Sequence, residues 1–184
     1  MKATGIVRRI DELGRVVVPK EIRRTLRIRE GDPLEIFTDR NGEIILKKYS
    51  PMGELGTFAR EYAEALNKSL EHMVMICDRD SVIAAAGAQK KEYLDHAVSR
   101  EMEQIMEQRQ PVMTDRRKGM QPVSVTQQDN AKEVVAQIIV PVISEGEATG
   151  AVVLLTKQEN AKLGETEMKV AQTTAGFLGR QLEQ

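Results

Sequence analysis

The residue type best suited to chemistry in this sequence is arginine, which is concentrated near the beginning of the chain. Residues 1–50 hold 12 Lys and Arg against 8 Asp and Glu, whereas the remaining residues hold 15 against 20. A guanidinium group stays charged at any relevant pH and presents a fork of N–H donors that fits a phosphate or the edge of guanine. A basic first part on an acidic second part therefore predicts a polyanionic partner for the first part alone.

Other reactive residue types do not form a recognisable site. His72 and His96, the only histidines, are not in a metal-ligand spacing, and Cys77 ends an apolar run that is typical of a buried side chain. Residues 54–184 assemble no nucleophile, base and oxyanion donor at a recognisable spacing, and no glycine-rich phosphate loop precedes a helix. The sequence thus predicts no catalytic residues, no metal and no cofactor, and an enzyme is the least favoured alternative.

Composition narrows the class of protein further. The 184 residues suffice for one large domain or two small ones, and the single cysteine cannot form an intrachain disulfide. The first residues lack the apolar run of a signal peptide, and the longest apolar stretches, 134–143 and 148–156, are too short to span a bilayer. We therefore expect a cytoplasmic, nucleoid-associated protein. The absence of Trp and the aromatic content of 3% disfavour stacking on single-stranded bases.

The basic residues must be positioned by a small first domain. Turn residues Asp11–Gly14 lie between two β-branched runs, 6–10 and 16–18, and this pattern predicts a hairpin. Pro19 has no N–H to give a sheet but fits the first turn of a helix, so a helix should begin there and run through the basic segment 20–29. Apolar residues are expected on its inner face and basic residues on its other faces. The inner residues are Ile22, Leu26 and Ile28, and the basic residues are Lys20, Arg23, Arg24 and Arg27.

A second hairpin completes this domain. Residues 34–38 and 43–48 read as strands on either side of the turn residues Asp39–Gly42, several of which accept a positive φ. A unit of about 50 residues buries too little apolar surface to be stable as a monomer. We therefore predict that the first domain is an obligate dimer.

The rest of the chain predicts a larger α+β domain. Pro51–Gly53 reads as a linker, and apolar residues at helical spacing predict helices at 54–71, from about 94 to 109, and at 165–182. Strands are expected at 73–77, 81–86, 123–126, 134–143 and 149–156, the last two joined by a turn at 145–147. Inside the last helix, Gly176 and Gly179 are expected to permit close packing. This order favours an antiparallel sheet with helices packed on one or both faces.

The stretch Asp11–Pro19, with the flanking segments 4–8 and 21–26 and the strand residues 44–49, resembles the AbrB family of bacterial transition-state regulators. The resemblance covers the whole first domain, taken as residues 1–50. It implies a swapped-hairpin β-barrel made by two interleaved chains, which binds double-stranded DNA as a transcription factor. The DNA-contacting arginines of the family correspond here to Arg8, Arg15, Arg23 and Arg24. We assign auxiliary DNA-binding roles to Lys2, Arg9, Lys20 and Arg27.

The second domain, residues 54–184 after the 51–53 linker, resembles a GAF domain by the order of its elements. Together the two domains are most similar to a sporulation regulator of the AbrB family, which implies control of sporulation genes as activator, repressor or both. The resemblance also implies a homotetramer that associates again through the GAF-like domains. Two roles stay open for this domain: sensing a small-molecule effector of unknown identity, or oligomerisation alone.

Specificity and the main alternative also follow from the residues present. No Asn or Gln lies near the basic helix to contact adenine, so DNA shape should contribute much of the site choice. The first alternative is an antitoxin-like module that binds DNA and a protein, because similar small barrels neutralise toxins. Such proteins carry a disordered tail, whereas residues 54–184 have the apolar periodicity of a folded core.

Overall fold

The computed structural model describes residues 5–183, and the chain forms two compact units, Met1–Tyr49 and Ser50–Gln184. The first unit contains helix α1, Lys20–Thr25, and strands β1, Leu34–Thr38, and β2, Ile44–Lys48. The two strands pair antiparallel with Ile36 opposite Leu46. The second predicted hairpin is therefore confirmed.

Helix α1 begins as predicted but ends early. Pro19 is its N-cap with a φ of −58°, a value that suits the start of a helix. The helix ends at Thr25 because Arg27 adopts a left-handed φ of +52° and the N–H of Ile28 bonds back to the carbonyl of Arg23. The predicted continuation through Arg29 was wrong, and Leu26, expected inside, is 56% exposed.

The first predicted hairpin is present only as its turn. Gly14 has a φ of +77°, its N–H donates to the carbonyl of Asp11, and the N–H of Asp11 donates to the carbonyl of Arg15. The flanking residues 6–10 and 16–18 do not form strands. A two-stranded hairpin without further partners is marginal in water, and in this single chain both runs are exposed except for Val18, which is partly buried.

The second unit is built on a five-stranded antiparallel sheet with the order β4-β3-β7-β6-β5. Its strands are β3, Met73–Asp78; β4, Val82–Ala86; β5, Val112–Asp115; β6, Ala136–Ser144; and β7, Glu147–Thr156. Its helices are α2, Pro51–Glu54; α3, Gly56–Leu70; α4, Arg100–Gln108; and α5, Glu165–Gln181. The predicted α+β class and antiparallel sheet are confirmed.

Both faces of this sheet are covered, and strand alternation divides the core accordingly. Val74 and Ile76 of β3 belong to the apolar cluster that includes α3 and α5 residues, whereas Met75 and Cys77 belong to the cluster that includes α4 residues. Successive side chains of a strand point to opposite faces, so near-continuous apolar strands are required here. Cys77 is fully buried, and burial raises the pKa of its thiol far above the usual range.

Several local predictions differ from the structure of the second unit. The helix expected from about 94 begins only at Arg100, after its N-cap Ser99. Residues 51–53, predicted as a linker, lie in α2, where Ser50 caps the N–H of Gly53 and Met52 is fully buried. Residues 123–126 form only an isolated bridge between Val98 and Thr126. Strand β5 was not predicted, because its four residues follow directly after Pro111.

Candidate nucleic-acid interface

The four arginines expected to contact DNA lie on three segments of the first unit. Arg8 precedes the Asp11–Gly14 turn, Arg15 follows it, and Arg23 and Arg24 lie in the last turn of α1. Arg8, Arg15 and Arg24 are exposed, whereas Arg23 is partly buried. The backbone thus keeps all four near the surface of one small unit.

Arg15 is held in place by Asp11. Oδ1 of Asp11 accepts hydrogen bonds from the backbone N–H of Leu13 at 3.0 Å and of Arg15 at 2.8 Å. Oδ2 accepts the Nε–H of Arg15 at 2.8 Å. The backbone N–H of Arg15 and then its guanidinium hold the pKa of Asp11 below its usual value. One carboxylate therefore fixes both the turn and the arginine that follows it.

Arg23 is also anchored through Nε, by a backbone group. Its Nε–H donates to the carbonyl of Val18 at 3.2 Å. The two terminal nitrogens of the guanidinium have no partner among residues 5–183. Within residues 5–183, the side chains of Arg8 and Arg24 have no hydrogen-bond or ion-pair partner. The four arginines therefore divide into two anchored and two unanchored side chains.

The auxiliary residues differ in their surroundings. Arg9 and Lys20 are exposed, Arg27 is partly buried in the left-handed position that ends α1, and Lys2 lies outside the described residues. The carbonyl of Arg27 accepts a hydrogen bond from Nζ of Lys48 at 3.0 Å. Arg27 therefore has a role in connecting the helix end to β2.

Asp32 fixes the segment between α1 and β1. Its Oδ2 accepts the backbone N–H of Arg29 at 2.7 Å and lies 3.0 Å from Nζ of Lys48, and its side chain is only 5% exposed. Burial alone would raise the pKa of Asp32, but the Arg29 N–H and the Lys48 ammonium lower it overall. This partly buried pair links the helix end to the second hairpin.

The sequence analysis did not identify Asp11 as part of the site. Two other carboxylates, Glu12 and Glu21, also lie close to these arginines in the sequence. Neither of these two carboxylates has an ion pair with an arginine among the described residues. The signal available in the sequence was an aspartate at the first position of a turn, four residues before an arginine. Such an aspartate accepts backbone N–H groups and can reach the later side chain.

The first unit also exposes large apolar side chains. Both apolar core clusters consist of residues of the second unit, and Pro19 is the one buried residue among residues 5–49. Val7 is 89% exposed, Val17 71% and Ile36 66%. The other exposed large apolar residues of this unit are Ile6, Ile10, Leu13, Val16, Leu26, Phe37, Ile44, Ile45 and Leu46. Residues 5–49 therefore have no closed core within one chain.

The second unit offers open grooves and a filled interior. A groove of about 580 Å³ lies between the end of α3 and residues after β4, and Glu64, Lys68, Glu71 and Lys90 are among its lining residues. Between the sheet and α4, the space is filled by buried side chains, among them Met75, Tyr93 and Met102. The described residues include no group of three or more His, Cys, Asp or Glu side chains arranged to hold a metal.

Comparison with known proteins places this architecture in a family. Residues 54–183 match the family described as "Stage V sporulation protein T C-terminal, transcription factor". The stage V sporulation protein T of Bacillus subtilis (strain 168) is 56% identical over 184 residues, which are 100% of both chains. The chain belongs to the stage V sporulation protein T family. This family is one of sporulation transcription factors, which confirms the prediction that the chain is not an enzyme.

Other known proteins are similar to only one of the two units of this chain. Residues 7–54 match the family described as "Antidote-toxin recognition MazE, bacterial antitoxin". The transition state regulatory protein AbrB of Bacillus subtilis (strain 168) is 67% identical over 51 residues, 28% of this chain and 52% of that protein. The predicted resemblance of the first domain to AbrB is confirmed.

The second unit of this chain has the fold of a GAF domain. The crystal structure of the GAF domain from Acinetobacter phosphoenolpyruvate-protein phosphotransferase matches 74% of this chain and 84% of that chain, with 13% identity and a TM-score of 0.57. This similarity shows the fold alone, and it confirms the GAF-like prediction. Within residues 5–183, no helix is both long and apolar enough to cross a membrane.

Proposed function

We propose that this transcription factor binds double-stranded DNA through Arg8, Arg15, Arg23 and Arg24, and so controls sporulation genes as an activator, a repressor or both. The observation that carries the proposal is that all four side chains belong to one small unit, where two of them are anchored through Nε and their terminal nitrogens have no partner among residues 5–183. Guanidinium groups in this state can pair with phosphate or guanine without first breaking another pair.

The exposed apolar residues support a dimer of the first domain, residues 1–50. Val7, Val17 and Ile36 would bury their side chains if a second copy paired with the runs 6–10 and 16–18, which do not form strands within one chain. Burying apolar surface is the dominant favourable term in association, and added strands stabilise a hairpin that is marginal alone. An interleaved barrel of two chains satisfies both requirements and doubles the number of arginines that face one duplex.

The aromatic residues of the second domain, residues 54–184, support association into a tetramer. Phe58 and Tyr62 of α3 and Phe177 of α5 form a group with ring centroids 5.7–5.9 Å apart. Phe177 is 38% exposed, so the group reaches the surface across two neighbouring helices. A second copy packed on these helices would bury it, and two DNA-binding dimers on one tetramer would gain affinity through effective concentration.

A sensing role for the second domain has less support than oligomerisation. The interior between the sheet and α4 is occupied by the domain's own side chains, and half of the residues that line the open groove beside α3 are charged. We propose that oligomerisation is its main role. Stabilisation of the full chain by a member of a metabolite library, measured by thermal shift, would instead favour sensing.

The antitoxin alternative is favoured by one observation, the match of residues 7–54 to an antitoxin family. It requires a segment that wraps a toxin, whereas residues 50–183 form a sheet covered on both faces. DNA binding is common to both hypotheses, so the toxin partner distinguishes them. We favour the regulator.

The test begins with duplex DNA selected from a random pool by the full-length protein. We expect log K to fall linearly with log salt, with a slope up to roughly −7 if eight phosphates are neutralised by four arginines on each of two chains. Footprinting of Arg23→Ala beside the unmodified protein should show loss of protection. A slope near zero, or full protection by the variant, would overturn the DNA-binding proposal.

A further inference from the structure

A carboxylate, that of Asp11, pairs with Arg15 on a surface that is expected to meet DNA. A carboxylate near the phosphate backbone repels it, so a purely electrostatic surface would gain from its loss. The side chain of Asp11 is 41% exposed and that of Arg15 is 71% exposed. An exposed ion pair contributes little to stability, so folding alone does not explain the second contact of this carboxylate.

The two oxygens of Asp11 perform separable tasks. Oδ1 accepts the N–H groups of Leu13 and Arg15, and these bonds belong to the turn. Among residues 5–183, Oδ2 accepts only the Nε–H of Arg15, at 2.8 Å. An asparagine could retain the first task through its amide oxygen but would present an NH₂ donor, and no charge, in place of Oδ2. The turn therefore does not require the second oxygen.

The contact at Nε determines which donors of Arg15 remain. A guanidinium has five N–H donors, and engagement of Nε leaves the four on the two terminal nitrogens. These terminal nitrogens form an end-on fork that matches the O6 and N7 acceptors of guanine in the major groove. A phosphate contact needs no such fixed orientation, and the unanchored Arg8 and Arg24 suit that task.

We propose that Asp11 is a positioning residue for DNA specificity, which holds the Arg15 fork so that it contacts a guanine edge while the unanchored arginines contact phosphates. This inference rests on the proposed DNA-binding function and assigns different contacts to Arg15 and to the unanchored arginines. It predicts that loss of the Asp11 charge weakens binding to the preferred site even though it removes a repulsive charge. Plain electrostatics predicts the opposite sign.

The test compares Asp11→Asn with Glu12→Gln in the full-length protein. Glu12 is an exposed neighbour in the same turn with no ion pair among residues 5–183, so its variant removes the same charge without touching Arg15. Binding is measured by fluorescence anisotropy on the duplex selected by the unmodified protein and on a shuffled duplex of equal composition. The ratio of the two affinities reports specificity.

We expect Asp11→Asn to lower the affinity for the selected duplex about tenfold and to leave or raise the affinity for the shuffled one, a loss within the discrimination of one arginine–guanine pair. Glu12→Gln should raise both affinities equally and leave their ratio unchanged. If Asp11→Asn also raises the affinities for the selected and the shuffled duplex equally, Asp11 only repels phosphate and the inference is overturned. Failure of the unmodified protein to prefer any duplex would instead overturn the proposed function.

A second comparison separates positioning from damage to the turn. In an Arg15→Ala background, Asp11→Asn should leave the specificity ratio unchanged, because there is no fork left to hold. Pools reselected with Asp11→Asn and with Arg15→Ala should lose preference at the same base pair. An equal drop in specificity in both backgrounds, or relaxed preference at different positions, would show that Asp11 acts through the fold of the turn rather than through Arg15.

Discussion

Gly179 in α5 lies against the backbone carbonyl of Ile143 in β6, so closely that a Cβ at this position would overlap the Ile143 oxygen. The helix can approach the sheet this closely only because the side chain is absent. Gly179→Ala should therefore push the helix away and lower the free energy of unfolding by about 1–3 kcal/mol. Urea denaturation of the full chain, followed by circular dichroism, would measure the change.

Gly176, one turn earlier in the same helix, provides the matched control. A Cβ there would meet no atom within 4 Å outside its own helix, and the residue is exposed. Gly176→Ala should stabilise the protein by roughly 0.5–1 kcal/mol through helix propensity. Equal effects of the two alanines would contradict the close contact at Gly179.

The partly buried Asp32–Lys48 pair predicts a pH-dependent stability of the second hairpin. The lowered pKa of Asp32 means that folding favours its carboxylate, so its contribution is present above the unfolded pKa of about 3.9 and is lost as pH falls through the lower folded value. Asp32→Asn should cost about 1–3 kcal/mol near neutral pH. Hydrogen exchange of peptides from residues 28–49, measured between pH 3 and 7, would report the cost.

The difference between Asp32→Asn and the unmodified protein should shrink as pH falls from about 4 towards 3, because the unfolded carboxylate takes up a proton before the folded one does, and it should vanish only below the lower folded pKa. Glu35→Gln, at an exposed position on β1, makes the same charge change and serves as the control. A difference that stays constant from pH 7 to pH 3 would show that the charge of Asp32 does not contribute.

Lys157, after β7, connects two short helical turns of the second unit, Lys90–Glu92 and Ala131–Glu133. Its Nζ lies 2.9 Å from Oε2 of Glu133 and 3.3 Å from Oε2 of Glu92. Lys157→Met should release both turns and speed hydrogen exchange at the amides of Leu94 and Val134, which donate within those turns, by about fivefold for each 1 kcal/mol of stabilisation lost locally. Lys162→Met, at an exposed position, should leave both amides protected.

Elements with a strong local signal were predictable. The β1–β2 turn carries residues that accept a positive φ, as Gly42 does at +80°, and Pro19 caps α1 as its fixed φ requires. In the second unit, long apolar runs predicted β6 and β7, and apolar residues at helical spacing predicted α5. Periodicity and turn chemistry are properties of neighbouring residues, so one sequence suffices to detect them.

Features that depend on distant residues were not predictable. Strand β5 has only four residues and is defined by its pairing with β6, as Met113 opposite Ile138 illustrates. The end of α1 at Thr25 depends on the left-handed conformation of Arg27, a residue type that rarely adopts it. Within the candidate site, the arginines were predicted by resemblance, but their division into anchored and unanchored side chains depends on acceptors that only the three-dimensional structure locates.

This division predicts different tolerance of Arg23 and Arg24 to lysine. A lysine keeps the charge but has neither the Nε donor that bonds the Val18 carbonyl nor the planar fork. Arg23→Lys should therefore lower the affinity for the selected duplex about tenfold, whereas Arg24→Lys, which replaces one unanchored charge by another, should lower it less than about threefold. Anisotropy titrations at a fixed salt concentration would measure both, with the shuffled duplex as reference. The two neighbours lie on the same helical turn and carry the same charge, so equal losses would mean that the Nε anchor has no part in DNA binding.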